Sequence, residues 1–259
     1  MLRNRKNGQF TANWKQNLLT WNNDKTVKGE KAGYRTFVLY MAPHNVATKK
    51  SLCPYSTPGC REGCLNTAGR GTYDNVQNAR AKKAQFFENN QETFMSHLVA
   101  NIEKAIRNAK NAGLIPVFRL NGTTDIMWEN IPCTRNGRRY KNIMNAFCNF
   151  QFYDYTKIPY RYRSQLPRNY DLTFSIAETA DNQAEAREWL ANGGRCSVVA
   201  AYEPETFFGA KVVDGDEDDL TFLKPRGILK LKPKGKARYD KTGFVFHSEP
   251  QQFVQLKVA

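Results

Sequence analysis

Six short apolar runs are the feature that most constrains how this chain folds. Each run has the length and the β-branched or aromatic content of a buried strand. They span residues 34–41, 115–120, 149–155, 171–179, 196–202 and 227–231. Apolar residues recur at helical spacing over 75–111 and again over about 182–192. Strands that alternate with helices or long loops predict βα units and a largely parallel sheet. We therefore expect an α/β protein built as a partial (β/α)6 barrel.

The domain organisation follows from the placement of these runs. The chain has 259 residues, a length that one barrel-like domain commonly occupies. We expect a polar N-terminal arm over 1–33 that packs on the core, a single domain over 34–240, and a C-terminal extension over 241–259. No linker that would divide the chain into two large domains is evident.

Hydropathy and the N-terminal sequence indicate the compartment. The chain has no apolar run long enough for a transmembrane helix, and its first residues lack the apolar stretch of a signal peptide. We therefore expect a cytoplasmic protein without a membrane partner.

The net charge indicates the kind of partner. Thirty-nine basic residues against 24 acidic ones give a formal charge of +15, which favours nucleic acid or an anionic small molecule as partner. Basic clusters occur over 135–141, 160–163 and 224–241, and each of them contains tyrosine. A solvated basic surface is the alternative explanation for any one cluster. An acidic stretch over 214–219 is predicted to be an exposed turn, with one carboxylate available to a pocket.

Three cysteines directly after the first predicted strand indicate a metal site. Cys53, Cys60 and Cys64 lie within twelve residues. Three thiolates from one loop can hold three irons of a 4Fe-4S cluster and leave the fourth iron open to a ligand. Zinc is the alternative, with His44 on the same loop as a possible fourth ligand, and unligated thiols are a third reading. The other cysteines, Cys133, Cys148 and Cys196, are expected to be small buried apolar side chains.

Polar residues at the ends of the later strands indicate a site at the edge of the sheet where the cysteines lie. Because the carboxyl ends of parallel strands meet at one edge of the sheet, we expect those residues to line a pocket beside the cysteines. They are Asn121, Asp125, Asp154, Ser175 and Glu178.

Four motifs carry a resemblance to a known family. The residues 53–71 read Cys-Pro-Tyr-Ser-Thr-Pro-Gly-Cys-Arg-Glu-Gly-Cys-Leu-Asn-Thr-Ala-Gly-Arg-Gly, and further matches lie at 119–125, 212–216 and 232–238. These motifs resemble those of the bacteriophage gene product 88 family, over about residues 23–238. The resemblance implies a phage-encoded protein, located in the host cytoplasm, and implies no activity.

The placement of the cysteines is more distantly similar to that in the radical S-adenosylmethionine superfamily. Members of that superfamily carry three cluster cysteines on the loop after the first strand of a partial six-unit barrel; here six and three residues separate the cysteines. The resemblance implies S-adenosylmethionine as a second cofactor and an electron donor as a partner. It places Asn121, Thr124 and Asp125 near the methionyl group of that cofactor, and Ser175 and Glu178 near its ribose.

The same resemblance makes Asp154 the candidate catalytic residue, because it would face the substrate. We therefore expect an iron-sulfur protein that acts as a radical-SAM-like enzyme on a nucleotide, nucleic acid or other anionic substrate. The alternative is a non-enzymatic protein that binds nucleic acid or a host factor, with a structural cluster or zinc.

Overall fold

A nine-stranded sheet organises the chain in the computed structural model, which describes residues 17–22, 24–163 and 165–250. The strands are β1 Leu19–Thr20, β2 Tyr34–Leu39, β3 Ile115–Arg119, β4 Cys133–Arg135, β5 Arg138–Tyr140, β6 Gln151–Thr156, β7 Tyr170–Ser175, β8 Arg195–Val199, β9 Thr206–Phe207, β10 Ala210–Asp214 and β11 Gly227–Leu231. Strands β4 and β5 form a separate hairpin, and the other strands form the sheet. The α-helices are α1 Asp24–Lys28, α2 Pro58–Glu62, α3 Asp74–Asn89, α4 Gln91–Asn111, α5 Ile143–Ala146, α6 Tyr160–Arg163 and α7 Ala180–Ala191. Short 3-10 turns lie between them.

The sheet is mostly parallel. Its strand order is β1-β2-β3-β6-β7-β8-β11-β10-β9. Neighbouring strands from β2 to β10 pair in parallel, and the two-residue strands β1 and β9 pair antiparallel at the edges. The prediction of an α/β protein with a largely parallel sheet is confirmed, and each of the six predicted runs contains or overlaps a strand of this sheet. Strand β10, which pairs with β11, extends the sheet beyond those six.

The two faces of the sheet differ in chemistry. On one face Phe118 stacks between Phe37 and Phe152, with ring centroids 5.8 Å and 5.1 Å apart. Alternation along a strand sends the intervening side chains to the other face. There the Thr36 hydroxyl lies 3.0 Å from the hydroxyl of Tyr153. The first face therefore packs in the apolar core with α3 and α4, and the second face carries buried polar groups.

Buried ion pairs satisfy the charges on the polar face. Arg119 donates to both carboxylate oxygens of Asp219, at 3.1 and 2.9 Å, and Arg195 pairs with Asp171. Asp219 belongs to the acidic stretch that was predicted to be an exposed turn with one carboxylate available to a pocket. Its carboxylate is the buried one, because Arg119, the last residue of β3, requires a counter-ion.

Two predicted elements differ from the structure. The single helical pattern over 75–111 is two helices, because Asn90 has an extended φ of −145° between α3 and α4. The basic cluster over 135–141 lies in the hairpin of β4 and β5. Asn136 and Gly137 form its turn, both at positive φ. Within the hairpin Arg135 pairs with Glu103 of α4, so this side chain is part of the packing between hairpin and helix.

The regions predicted as an arm and an extension both contact the sheet. β1 pairs with β2, and Phe246 forms a bridge to Ala200 at the end of β8. Residues 1–16 and 23 of the arm, and 251–259 of the extension, lie outside the described residues, and the domain boundaries stay a prediction. None of the helices in the described segments combines the length and the apolar character needed to cross a membrane.

Candidate metal and substrate site at the carboxyl edge of the sheet

The three cysteines lie on the segment that follows β2, at the carboxyl edge of the parallel strands. All three are half-buried free thiols. Cys60 lies within α2, whose first turn is capped by Thr57: the hydroxyl of Thr57 accepts from the Cys60 backbone N–H at 3.2 Å. Cys64 caps the next turn, Leu65–Thr67. Capping by Thr57 and by Cys64 itself therefore sets the backbone around the second and third thiols.

Backbone N–H groups point at two of the three sulfurs. His44 donates its backbone N–H to Cys53 Sγ at 3.3 Å, and Asn66 donates to Cys64 Sγ at 3.5 Å. Hydrogen bonds of this kind stabilise a thiolate and tune the potential of an iron-sulfur cluster. The imidazole of His44 lies 2.9 Å from the amide oxygen of Asn45 instead, so His44 contacts the sulfur through its backbone.

The thiols influence one another's ionisation. The pKa of Cys53 is raised to about 12: burial is the largest cause, the hydrogen bond from His44 opposes it, and the nearby Asp125, Cys64 and Cys60 add to it. Burial also raises the pKa of Cys64, while the hydrogen bond from Asn66 and the charges of Lys157 and Arg80 oppose that rise. A metal that binds here must displace protons from these thiols.

The donor set has the ligand chemistry of thiolate-bound iron, but its three thiols are not gathered around one metal position. Three thiols share one edge, two of them accept backbone N–H groups, and cationic Lys157 and Arg80 lie close enough to favour the thiolate of Cys64. Among the residues that the structure describes, no three His, Cys, Asp or Glu side chains are gathered as ready-made ligands of a metal ion.

Glu178 fixes the cysteine segment to the loop after β7. Its carboxylate accepts from the Thr57 hydroxyl at 2.8 Å and from the Gly59 backbone N–H at 2.7 Å. A Cβ on Gly59 would lie 2.3 Å from Thr242 Oγ1 and 2.8 Å from Phe244 Cβ. The helix that carries Cys60 is therefore seated tightly against Glu178 and the C-terminal loop.

The motif at 119–125 packs against the chain that leads to Cys53. A Cβ on Gly122 would lie 2.8 Å from the carbonyl oxygen of Leu39, so only glycine permits this approach to the end of β2. Thr123 donates its hydroxyl to the Met41 carbonyl at 2.6 Å, and its own carbonyl oxygen lies 3.7 Å from Cys53 Sγ. The glycine and the threonine together hold the chain that leads into the cysteine segment.

Three residues predicted to bind a cofactor are buried in the loop that follows β3. The Asn121 side-chain oxygen accepts from the Thr124 hydroxyl, the Ile126 N–H and the Trp128 indole, each at 3.0 Å. Asp125 accepts from the Lys157 backbone N–H at 2.7 Å. The structure therefore brings Asn121, Thr124 and Asp125 together as a buried hydrogen-bonded loop beneath the thiols.

Asp125 also faces a buried arginine. Arg163 Nη1 lies 3.4 Å from Asp125, and Nη2 donates to Glu129 at 2.7 Å. Burial raises the pKa of Asp125, and Arg163 opposes that rise. Arg163 belongs to the cluster over 160–163, which was predicted either to contact an anionic partner or to be a solvated basic surface. For this residue both interpretations are wrong, because two carboxylates and the Thr156 hydroxyl hold it in the core.

Asp154, the candidate catalytic residue, is fully buried. Its carboxylate accepts from the Asn121 backbone N–H at 2.7 Å and from the Tyr170 hydroxyl at 3.0 Å. Burial raises its pKa to about 7, although both hydrogen bonds act in the opposite direction. Its side chain lies on the Phe152 face of β6, so it reaches the site only through the backbone of Asn121.

Ser175, the last residue of β7, lies at the site with a lysine that the sequence pattern did not single out. Lys157 donates its ammonium group to Ser175 Oγ at 2.6 Å and lies 5.5 Å from the ring centroid of Phe244. Lys157 follows β6 directly, and that position, one residue past a strand end, is the signal that would have found it. Its charge also acts on Cys64, so it links the serine to the thiols.

The remaining cysteines lie elsewhere. Cys133 and Cys196 are buried, as predicted. The prediction is wrong for Cys148, which is exposed because it lies in the connection between α5 and β6.

The motif at 232–238 completes the surroundings of the cysteine segment. It leads into the turn Gly235–Tyr239, where a Cβ on Gly235 would lie 2.9 Å from Ala68 Cβ. The turn packs on Leu65–Thr67, directly after Cys64. The motifs that begin at Cys53, Arg119 and Lys232 thus converge at one edge.

Comparison with known proteins supplies a family. No curated protein and no solved structure matches the chain. The family model described as gene product 88 matches residues 16–248, which include all three converging motifs. The chain therefore belongs to the gene product 88 family.

Proposed function

We propose that this protein is an iron-sulfur enzyme in which Cys53, Cys60 and Cys64 hold a 4Fe-4S cluster. We further propose that it uses S-adenosylmethionine in a radical-type reaction on an anionic substrate. One observation carries the proposal: the three thiols lie after the first parallel strand, at the edge where the loops after β3, β6 and β7 meet. That edge is where parallel α/β folds bind their ligands.

The order of the strands supports a partial barrel. Strands β2, β3, β6, β7, β8 and β11 lie side by side in the order in which they occur in the chain. A doubly wound sheet reverses its direction at a switch point, whereas a (β/α) barrel adds its strands in sequence. The polar second face of the sheet, with Thr36, Tyr153 and Arg119, would then be the inner wall of the barrel.

The donor chemistry supports iron. A cluster held by three thiolates keeps one iron open to a ligand and can supply one electron, and that is the chemistry it would add here. The backbone N–H groups of His44 and Asn66 would stabilise the ligating sulfurs, while Glu178 holds the segment that carries Cys60.

The chain's own polar groups are suited to positioning an anionic cofactor. Because Ser175 Oγ accepts from Lys157, the hydroxyl hydrogen of Ser175 is free to be donated to a ligand. The Lys157 ammonium group would favour a carboxylate beside Cys64. Asn121 and Asp125 would act as positioning residues, since their side chains hold the loop. We assign Asp154 the same positioning role.

Anaerobic reconstitution tests this proposal. The protein should take up iron and sulfide, show the signal of a reduced cluster in electron paramagnetic resonance, and change that signal when S-adenosylmethionine is added. Formation of 5′-deoxyadenosine in the presence of a reductant would establish the enzymatic part. A protein that binds zinc alone and leaves S-adenosylmethionine intact would overturn it.

A second candidate function is supported by the charge of +15: nucleic-acid binding without catalysis, with a structural cluster or zinc. This function predicts steeply salt-dependent binding that survives Ser175→Ala and Glu178→Ala. The enzyme proposal predicts that both variants impair the cleavage of S-adenosylmethionine.

A further inference from the structure

Four tyrosines are exposed at the edge that carries the cysteines. They are Tyr55, Tyr73, Tyr162 and Tyr239, with 39%, 60%, 55% and 83% of their surface accessible. Every other aromatic side chain in the described part of the chain is buried or half-buried. An exposed ring forgoes the free energy of burial, so the confinement of all four to one edge points to a ligand.

Contacts between segments bring these tyrosines around the thiols. Tyr55 lies two residues after Cys53, and its ring centroid is 6.3 Å from that of Tyr162 in α6. Tyr239 ends the turn that packs on Leu65–Thr67, and Tyr73 precedes α3 at the end of the cysteine segment. We call these four residues the tyrosine rim.

Cationic side chains alternate with the rings of the tyrosine rim. Between Lys232 and Lys241 five basic side chains accompany one carboxylate, that of Asp240. Arg70, Lys236 and Arg238 are exposed and form no ion pair with any described residue. The Arg161 guanidinium lies 4.7 Å from the ring centroid of Tyr162. The edge therefore offers ring faces on which bases can stack and cationic side chains that can bind phosphates.

A cleft continues this surface. It has a volume of about 370 Å³ and is lined by residues that follow β8 and by residues of and after β11, including Lys230, Lys232 and Arg238. Glu203 pairs with the buried ammonium group of Lys230, while Lys232 and Arg238 remain exposed. The cleft can accept a phosphate group beside the rim.

We propose that the tyrosine rim binds single-stranded nucleic acid, with bases stacked on the tyrosines and phosphates against the basic side chains of 232–241. Bases in a duplex already stack on each other, so an array of exposed rings selects a single strand. The inference rests on the proposed function in one respect: it makes the single-stranded nucleic acid the substrate of the iron-sulfur site. The binding itself requires no metal.

Fluorescence anisotropy tests the inference with labelled oligothymidylate and oligouridylate of about 20 nucleotides and with a duplex of equal length. We expect the single strands to bind at least about tenfold more tightly than the duplex, and more weakly as salt rises from about 50 to about 200 mM. The relative affinity of the two oligonucleotides shows whether DNA or RNA is preferred.

Variants locate the binding surface. Lys236→Gln combined with Arg238→Gln should weaken single-strand binding about tenfold or more. Tyr239→Ala and Tyr162→Ala should each weaken it about fivefold or more. The matched control is Arg138→Gln combined with Arg139→Gln, which removes the same charge from exposed residues of the β4–β5 hairpin. Circular dichroism verifies that each variant is folded.

Equal affinity for duplex and single strand, or an equal loss of affinity in the hairpin control, would overturn the inference. Iron content is measured on the same samples. Single-strand binding by a protein that cannot be loaded with iron would leave the inference standing and remove the proposed enzyme. A protein that holds the cluster and does not bind single strands would overturn the inference and leave the proposed enzyme standing.

Discussion

The carboxylate of Glu178 and the hydroxyl of Thr57 form a hydrogen bond of 2.8 Å across 121 residues of sequence. The same hydroxyl accepts the backbone N–H of Cys60 at 3.2 Å. A continuous chain of hydrogen bonds therefore runs from the loop after β7 to the second cysteine. The position of that thiol depends on Glu178 as much as on its own helix.

Replacing Glu178 should loosen the cysteine segment. Glu178→Ala removes two hydrogen bonds to a carboxylate and should lower the free energy of unfolding by about 2–4 kcal/mol. In the metal-free protein, alkylation of Cys60 should become several-fold faster, as measured by mass spectrometry of the labelled peptides. Glu188→Ala, an exposed residue of α7, is the matched control and should change neither quantity. Unchanged reactivity of Cys60 in Glu178→Ala would contradict the proposed docking.

Gly59 should tolerate no side chain. In Gly59→Ala the new Cβ would meet Thr242, Phe244 and Glu178 at 2.3, 2.8 and 2.9 Å, so we expect a loss of about 1–3 kcal/mol in urea unfolding. Gly69→Ala is the control, because its Cβ has nothing within 4 Å and only a φ of +52° to strain it. The control should lose about 1 kcal/mol at most. Equal losses at the two positions would argue against a tightly seated α2.

Two arginines two residues apart in α6 should respond differently to the same substitution. Arg163→Met leaves Asp125 and Glu129 buried without their partner and should cost about 3–5 kcal/mol. Arg161→Met breaks an exposed pair with Glu185 that solvent screens, and should cost far less. Thermal unfolding of both variants measures the difference. Similar costs would contradict the burial of Arg163.

The buried carboxyl of Asp154 should make stability depend on pH. Because its pKa is raised from 3.8 to about 7, folding favours its protonated form. Its contribution to stability therefore falls as pH rises from about 4 to about 7 and is constant above that range. Over this interval the wild type should lose on the order of a few kcal/mol relative to Asp154→Asn.

The substitution Asp154→Asn is suited to this test. An asparagine can accept from the Asn121 N–H through its oxygen and donate to the Tyr170 hydroxyl through its nitrogen. Asp125, whose pKa burial also raises, is present in both proteins and cancels in the comparison. Urea unfolding at a series of pH values gives the difference. Parallel pH profiles would show that Asp154 does not titrate in this range.

The strands of the fold could be predicted because buried parallel strands require continuous apolar runs, and such runs are visible in the sequence. The edge strands could not be predicted, since β1 and β9 have two residues each and no period. Strand β10, next to the edge strand β9, was also missed; its side chains are half-buried or exposed, so it lacks a continuous apolar signal.

The polar residues of the site were harder to assign. Asn121 and Asp125 have the residue types of ligand-binding groups, yet their side chains bond to loop N–H groups and to buried side chains. Sequence shows that a polar side chain follows a strand and does not show whether it faces a ligand or the loop. Lys157 was missed for a related reason: its role depends on Ser175 and Cys64, which only the fold brings to it.

The content of iron and acid-labile sulfide after anaerobic reconstitution tests the central claim most directly. Wild type and Cys148→Ser, which alters an exposed thiol away from the site, should each hold about four irons and four sulfides per chain. Cys53→Ser, Cys60→Ser and Cys64→Ser should each lose most of both. Retention of iron and sulfide in all three serine variants, or a wild type that holds zinc and no sulfide, would contradict the claim.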